Sequence, residues 1–360
     1  MAKLLEYSVI YTKRAINLMS KQYQQCVKDI NKDLCQVYRA KKCALIPGSG
    51  TTGMESVARQ FGNNKNCIVI RNGYFSYRWS QIFETGNIAN NLKVIKANVN
   101  PKDYSVSPPP LSQVCDMILR NKPDLVCAPH VETSTGVIID NDYIREIGKT
   151  TKRVGGLFCL DGIASGTLWT KMDDLNIDVY LTAPQKGWSS PASCGVVMLG
   201  DRALTKLDST QSSSFTLDLK KWTDVTDAYN NDSFMYHCTV PTNSLLEFRD
   251  NIRETISFGL DKAEKNAIQL GKDLRLLLEQ YGYKSVACDN NKSPTVIVSY
   301  CKGNIVEEFK NNGIQLAGYV PFMLNEPKEL NTFRVGLFGL DKLTNPKKTI
   351  ELFSSHLKSE

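Results

Sequence analysis

No Cys-x-x-Cys pair occurs among the eleven cysteines, so neither a zinc site nor a dithiol redox motif is supported. The thiols are scattered and odd in number, and several sit inside apolar runs, where cysteine behaves as a small hydrophobe. That usage predicts a reducing compartment and a cytoplasmic protein. No apolar run approaches membrane-spanning length, so no membrane partner is expected. The opening MAKLLEYSVIYTKRA lacks the apolar centre of a signal peptide, and the closing His356-Leu357-Lys358-Ser359-Glu360 is not a peroxisomal ending. Long basic tracts are missing too. Lys41-Lys42 and Lys347-Lys348 stand alone, so the net charge of +7 reads as a solvated surface and no nucleic acid is expected. No internal repeat or low-complexity tract is visible.

What is present is ordinary globular composition, 42% hydrophobic and 22% charged, over 360 residues. That length exceeds the usual single domain. The expected division is an extended arm over 1–14, a large domain over 15–245 and a small C-terminal domain over 246–360.

The chain is organised around the stretch from Leu157 to Leu199. A short apolar run ends on Asp161, a second leads into Thr182-Ala183-Pro184-Gln185-Lys186-Gly187-Trp188, and a third, Gly195 to Leu199, closes the unit. Runs this short, bounded by Gly and Pro, predict buried strands. Ligands in open α/β sheets sit beyond the carboxyl ends of strands, where Asp161 and Lys186 both fall. One lysine and one acid so placed suit a pyridoxal phosphate site: the lysine for a Schiff base, the acid to keep the pyridine nitrogen protonated. Taken alone, the same residues would also suit a capped turn and a solvated loop lysine.

Upstream, strand Cys43 to Ile46 runs into Pro47-Gly48-Ser49-Gly50-Thr51-Thr52-Gly53 and then a helix. Free N–H groups at such a helix start can meet an anion, which makes Ser49, Gly50 and Thr51, with Thr52 next in line, candidates for a phosphate cradle. It is not a Walker A loop, since no Gly-Lys-Ser/Thr follows; an ordinary capped helix is the alternative. Strands Cys67 to Arg71, Leu92 to Ala97 and Leu125 to Ala128 then alternate with helices, predicting a mostly parallel sheet with helices on both faces. A helical pattern from Ala15 to Tyr38 precedes them. Another, Thr242 to Gln280 with a break near Gly259, would bridge to a smaller α+β unit containing strands Thr295 to Tyr300 and Thr332 to Leu337.

The segments P-G-S-G-T, R-N-G-Y-F, H-V-E-T-S-T-G, L-D-G-I-A-S, A-P-Q-K-G-W, Y-H-C-T-V-P and F-R-V-G-L-F-G occur in this order between Pro47 and Gly339. Together they resemble the class V pyridoxal-phosphate aminotransferases of fold type I, the group containing alanine–glyoxylate and serine–pyruvate aminotransferases. The resemblance implies pyridoxal 5′-phosphate as cofactor, Lys186 as its Schiff-base lysine and Asp161 as partner of the pyridine nitrogen. It implies Ser49, Gly50 and Thr51 at the phosphate, Gln185 beside the lysine, Phe75 stacked on the ring and Thr133 near the phenolic oxygen. His130 and Glu132 of the same motif are expected to be structural. Tyr236 and Thr239 match a pair that reaches the neighbouring subunit's cofactor, implying a homodimer that shares its active sites. Arg334 matches the arginine that grips the substrate α-carboxylate.

The implied activity is ping-pong transamination from a small donor, alanine or serine-like, to a 2-oxo acid such as glyoxylate or pyruvate. Relatives begin with a Gly-Pro segment lining the pocket, whereas this chain reads EYSVIYTKRAINLMS, so the donor is not inherited. Two rivals are a lyase or desulfurase of the same fold and a catalytically silent binding relative. Desulfurases carry His before the lysine, where this chain has Gln185, and a silent relative would have lost Lys186, Asp161 or Arg334.

Overall fold

The structure is a computed structural model describing residues 4–357. Residues 1–3 of the expected arm lie outside the described residues. From residue 4 to 20 the chain forms turns but no helix or strand, and Leu4, Leu5, Tyr7 and Val9 are exposed. The first helix, α1 (Lys21–Tyr38), starts later than the apolar spacing suggests. Ser20 has extended dihedrals and its hydroxyl accepts from Tyr23 N, so the cap fixes the boundary. Tyr23, Val27, Ile30 and Leu34 form its buried stripe.

The central sheet has seven strands: β1 (Lys42–Pro47), β2 (Asn66–Arg71), β3 (Asn91–Lys96), β4 (Leu125–Pro129), β5 (Leu157–Asp161), β6 (Val179–Thr182) and β7 (Cys194–Leu199). Their order across the sheet is β1-β7-β6-β5-β4-β2-β3. Neighbours pair in parallel except at β7, which is antiparallel to both β1 and β6. Because one strand runs backwards between them, β1 and β6 point the same way. The carboxyl ends of β1, β2, β4, β5 and β6 therefore meet at one edge, which is what gathers the site.

Period-two alternation explains the apolar runs. In β5, Phe158 and Leu160 enter one core with α1, α4 (Leu111–Asn121) and α5 (Asn141–Arg153). Leu157 and Cys159 enter the opposite core with α2 (Gly50–Phe61), α3 (Tyr74–Thr85) and α7 (Leu219–Asn230). Both faces are covered, so a central strand needs no polar face. A short helix unmarked in the sequence, α6 (Asp201–Leu207), follows β7.

The long C-terminal helical pattern is two helices, α8 (Thr242–Phe258) and α9 (Leu260–Gln280), broken at Gly259, whose φ of 103° suits glycine. Leu245, Phe248 and Ile252 of α8 bury into the large core, while Leu270, Leu274 and Leu278 of α9 join a separate core with Ile297, Phe309, Phe333 and Val335. That second layer pairs β8 (Val296–Tyr300) and β9 (Thr332–Gly336) antiparallel, flanked by α10 (Ile305–Asn311), α11 (Leu340–Leu343) and α12 (Pro346–Leu357). A third apolar cluster, including Val131, Ala164, Val298 and Phe322, joins it to the carboxyl edge of the sheet.

Candidate active site

Asp161 ends β5 and is 9% exposed. Its Oδ1 accepts from Ile163 N at 3.1 Å and its Oδ2 from the Trp79 indole at 3.2 Å. Burial raises its pKa to about 6; those two bonds and Arg78 oppose the rise, and Glu132 adds to it. Among the described residues no cation pairs with it.

Lys186 lies in the turn between β6 and β7, its Nζ 4.9 Å from the Phe338 ring centroid. Burial lowers its pKa, and the charges of Arg334 and Arg78 lower it further. The turn is held close: a Cβ on Gly187 would fall 2.0 Å from the Gly166 carbonyl oxygen, so backbone packs on backbone. Gln185 beside it is exposed.

Ser49 caps α2 with extended dihedrals. Thr52 Oγ1 serves Ser49 N at 3.0 Å, while the N–H groups of Gly50 and Thr51 find no acceptor among the described residues. Thr51 Oγ1 instead accepts from Arg78 Nη1 at 2.9 Å. Arg78 and Phe75 share the first turns of α3 with Trp79, the spacing that puts all three on adjacent rows of one helix. Both Arg78 and Arg334 stand over the Phe75 ring, at 5.3 and 5.6 Å from its centroid.

The start of α3 is fixed by Glu132. Its carboxylate accepts from Phe75 N, Ser76 N, Ser76 Oγ, Ser134 N and Ser134 Oγ, all at 2.6–3.1 Å. A buried carboxylate at a helix N-terminus gains from the dipole as well as the bonds. Gly73 makes this approach possible, since a Cβ there would meet Ser134 Oγ at 2.1 Å. His130 is buried, its Nδ1 2.8 Å from Ser165 Oγ, and burial lowers its pKa to about 4. Thr133 is half-buried between these groups in sequence.

Arg334 sits in β9, its backbone bonded to Ala317 and its Nε donating to Gly318 O at 3.1 Å. Burial lowers its pKa, with Glu132 opposing. The structure thus brings Asp161, Lys186, Thr51, Phe75 and Arg334 into one cluster linked through Arg78. Tyr236 and Thr239 stand apart: their hydroxyls are 3.3 Å from each other and both residues are exposed. Sequence reasoning missed Arg78 and Trp79, whose partners Thr51 and Asp161 lie far away in the chain.

The Aminotransferase class-V family profile matches residues 1–309. Alanine--glyoxylate aminotransferase 1 of Saccharomyces cerevisiae is 26% identical over 61% of this chain and 57% of its own length. The chain thus spans little more than half of that relative. Alanine--glyoxylate aminotransferase of Oryctolagus cuniculus is 24% identical over 90% of this chain and 82% of its own. In three dimensions the chain resembles ureidoglycine-glyoxylate aminotransferase of Bacillus subtilis, with a TM-score of 0.80 and 19% identity over 94% of this chain and 86% of that one. Among the described residues no helix is long and apolar enough to cross a membrane.

Proposed function

This chain belongs to the class-V aminotransferase family, and from that premise we propose that it is a pyridoxal 5′-phosphate-dependent transaminase moving an amino group from a small donor to a 2-oxo acid. Membership carries the cofactor, and the residues fit it. The cluster holds Arg78, Lys186 and Arg334 with no carboxylate within ion-pair distance among the described residues, beside a helix start with free N–H groups. That surplus of positive charge suits a ligand bearing a phosphate. Opposite it, Asp161 is a buried acid without a cation, which suits a protonated pyridine nitrogen.

When bound, the cofactor would supply a carbonyl for the amine and a ring that takes up the electron pair of the broken Cα–H bond. The chain supplies the rest. Lys186 Nζ, whose pKa is lowered by burial and by two arginines, would be the base that takes the α-proton and returns it. Asp161, oriented by Trp79 and Ile163, would be the acid that keeps the ring nitrogen protonated. Arg334 offers a planar fork to the α-carboxylate, and its bond to Gly318 O fixes the fork's direction. Phe75 presents its ring to both arginines.

The observation that carries the reading is the placement of Asp161 at the carboxyl end of β5 and of Lys186 in the turn that leaves the neighbouring parallel β6, with Arg334 acting on the lysine. Alanine as donor and glyoxylate as acceptor follow the names of the reported relatives, and serine and pyruvate follow the family resemblance. The absorbance spectrum of the protein with cofactor tests it. A band near the visible edge should shift to shorter wavelength with one donor, and Lys186→Ala should abolish turnover. A band that no donor shifts would refute transamination.

The assembly we infer is a homodimer in which Tyr236 and Thr239, exposed here beside the exposed Phe215 and Phe234, face the neighbouring subunit's phosphate. Light scattering checks it. We place the division between the two lobes at Gly259 rather than at 245/246, because α8 buries its face in the large core. A cytoplasmic location accords with eleven free thiols.

A further inference from the structure

We propose that Arg78 is a phosphate-binding residue, closing the α2 cradle of Ser49, Gly50 and Thr51 from the α3 side; this rests on the cofactor reading above. Arginines nearby in the large domain find carboxylates: Arg39 pairs with Asp174, Arg202 with Asp178 and Arg59, one helix away, with Glu55. Arg78 has none among the described residues. Its guanidinium instead donates to a neutral hydroxyl, Thr51 Oγ1, at 2.9 Å.

That hydroxyl stands on the first turn of α2, where the N–H groups of Gly50 and Thr51 lack acceptors among the described residues. A helix N-terminus is partly positive, so a guanidinium held against it is repelled unless an anion lies between them. Two donors of positive potential, on different helices, converge on one point. The Phe75 ring face, 5.3 Å from the guanidinium carbon, helps hold the side chain there. Half-burial keeps solvent from screening the charge fully. The anion that uses both features is a phosphate monoester. Its oxygens can take backbone N–H groups on one side and a planar two-pronged donor on the other. A substrate carboxylate would use the fork but leave the α2 amides unmet.

The test uses the full-length protein freed of cofactor, as wild type, Arg78→Gln and Arg78→Lys. Each is titrated with pyridoxal 5′-phosphate and with pyridoxal, which lacks the phosphate, following the visible band and tryptophan fluorescence. Charged hydrogen bonds of this kind predict roughly 10- to 100-fold weaker binding of the phosphorylated form to Arg78→Gln. Pyridoxal binding should stay within about twofold, and Arg78→Lys should fall between. Inorganic phosphate should raise the melting temperature of wild type and not of Arg78→Gln. Equal weakening of both ligands would overturn the proposal by making Arg78 a support of the fold. Unchanged cofactor affinity, with loss confined to turnover of dicarboxylic donors, would overturn it by assigning the arginine to substrate. A wild type that binds the cofactor yet moves no amino group would refute the transaminase reading and leave this one standing.

Discussion

Asp161→Asn should make the cofactor-free protein more stable at neutral pH, although it removes a residue the function needs. Burial lifts the Asp161 pKa from the ordinary 3.8 to about 6. At about 1.4 kcal/mol per pH unit, the gap is worth on the order of 3 kcal/mol. Since the folded value lies above the unfolded one, folding favours the protonated acid. That contribution is whole below pH 3.8 and is lost as pH rises through about 6. Above pH 6 the wild type therefore keeps a buried carboxylate at a cost that asparagine escapes. Asparagine's single oxygen can accept from Trp79 or from Ile163 but not both, so it forfeits one bond of about 1 kcal/mol. The variant should be the weaker protein at pH 4 by about half that amount and the stronger by roughly 2 kcal/mol at pH 7.5. Urea denaturation of both cofactor-free proteins across that range measures it. A stability difference that does not change with pH would refute the reasoning, because a titrating acid cannot produce one.

Other substitutions follow from the same geometry. Arg334→Lys keeps the charge but loses the fork and the bond to Gly318, so KM for the donor should rise about tenfold or more in steady-state assays. Gly73→Ala should cost about 3 kcal/mol, read as a lowered melting temperature, since its methyl would strike Ser134 and Glu132 at 2.1 and 2.6 Å. Glu132→Gln should destabilise the protein by a similar amount and shift near-ultraviolet circular dichroism, because an amide cannot accept from every donor that the carboxylate satisfies.

The sheet was legible because its central strands are short apolar runs with both faces buried, while the edge strand β3 keeps Lys93 and Lys96. Asp161 and Lys186 were legible for a related reason: the rule for ligand placement depends on strand ends, which such runs mark. The start of α1 was not, since Ala15 to Met19 extends the apolar spacing while Ser20 supplies the cap. Arg78 and Trp79 carried no motif of their own. Their importance comes from contacts across more than twenty residues of chain, Arg78 with Thr51 and Trp79 with Asp161, which no local pattern encodes. The bridging pattern from Thr242 to Gln280 concealed a change of core, because apolar spacing records that a face is buried and not which lobe buries it.

The reversed strand β7 has a consequence for how this protein can vary. The loops after β1, β2 and β4 run onward towards helices and return to the far end of the sheet, so added residues there can be taken up on the surface. The loop carrying Lys186 has no such outlet. It leaves β6 and re-enters β7 at the same edge, with Gly195 already pressed on Gly53 of α2 and Gly187 on Gly166. Lengthening residues 183–193 would displace the lysine itself. New loops that alter the choice of substrate can therefore arise around this turn, while the turn keeps its length.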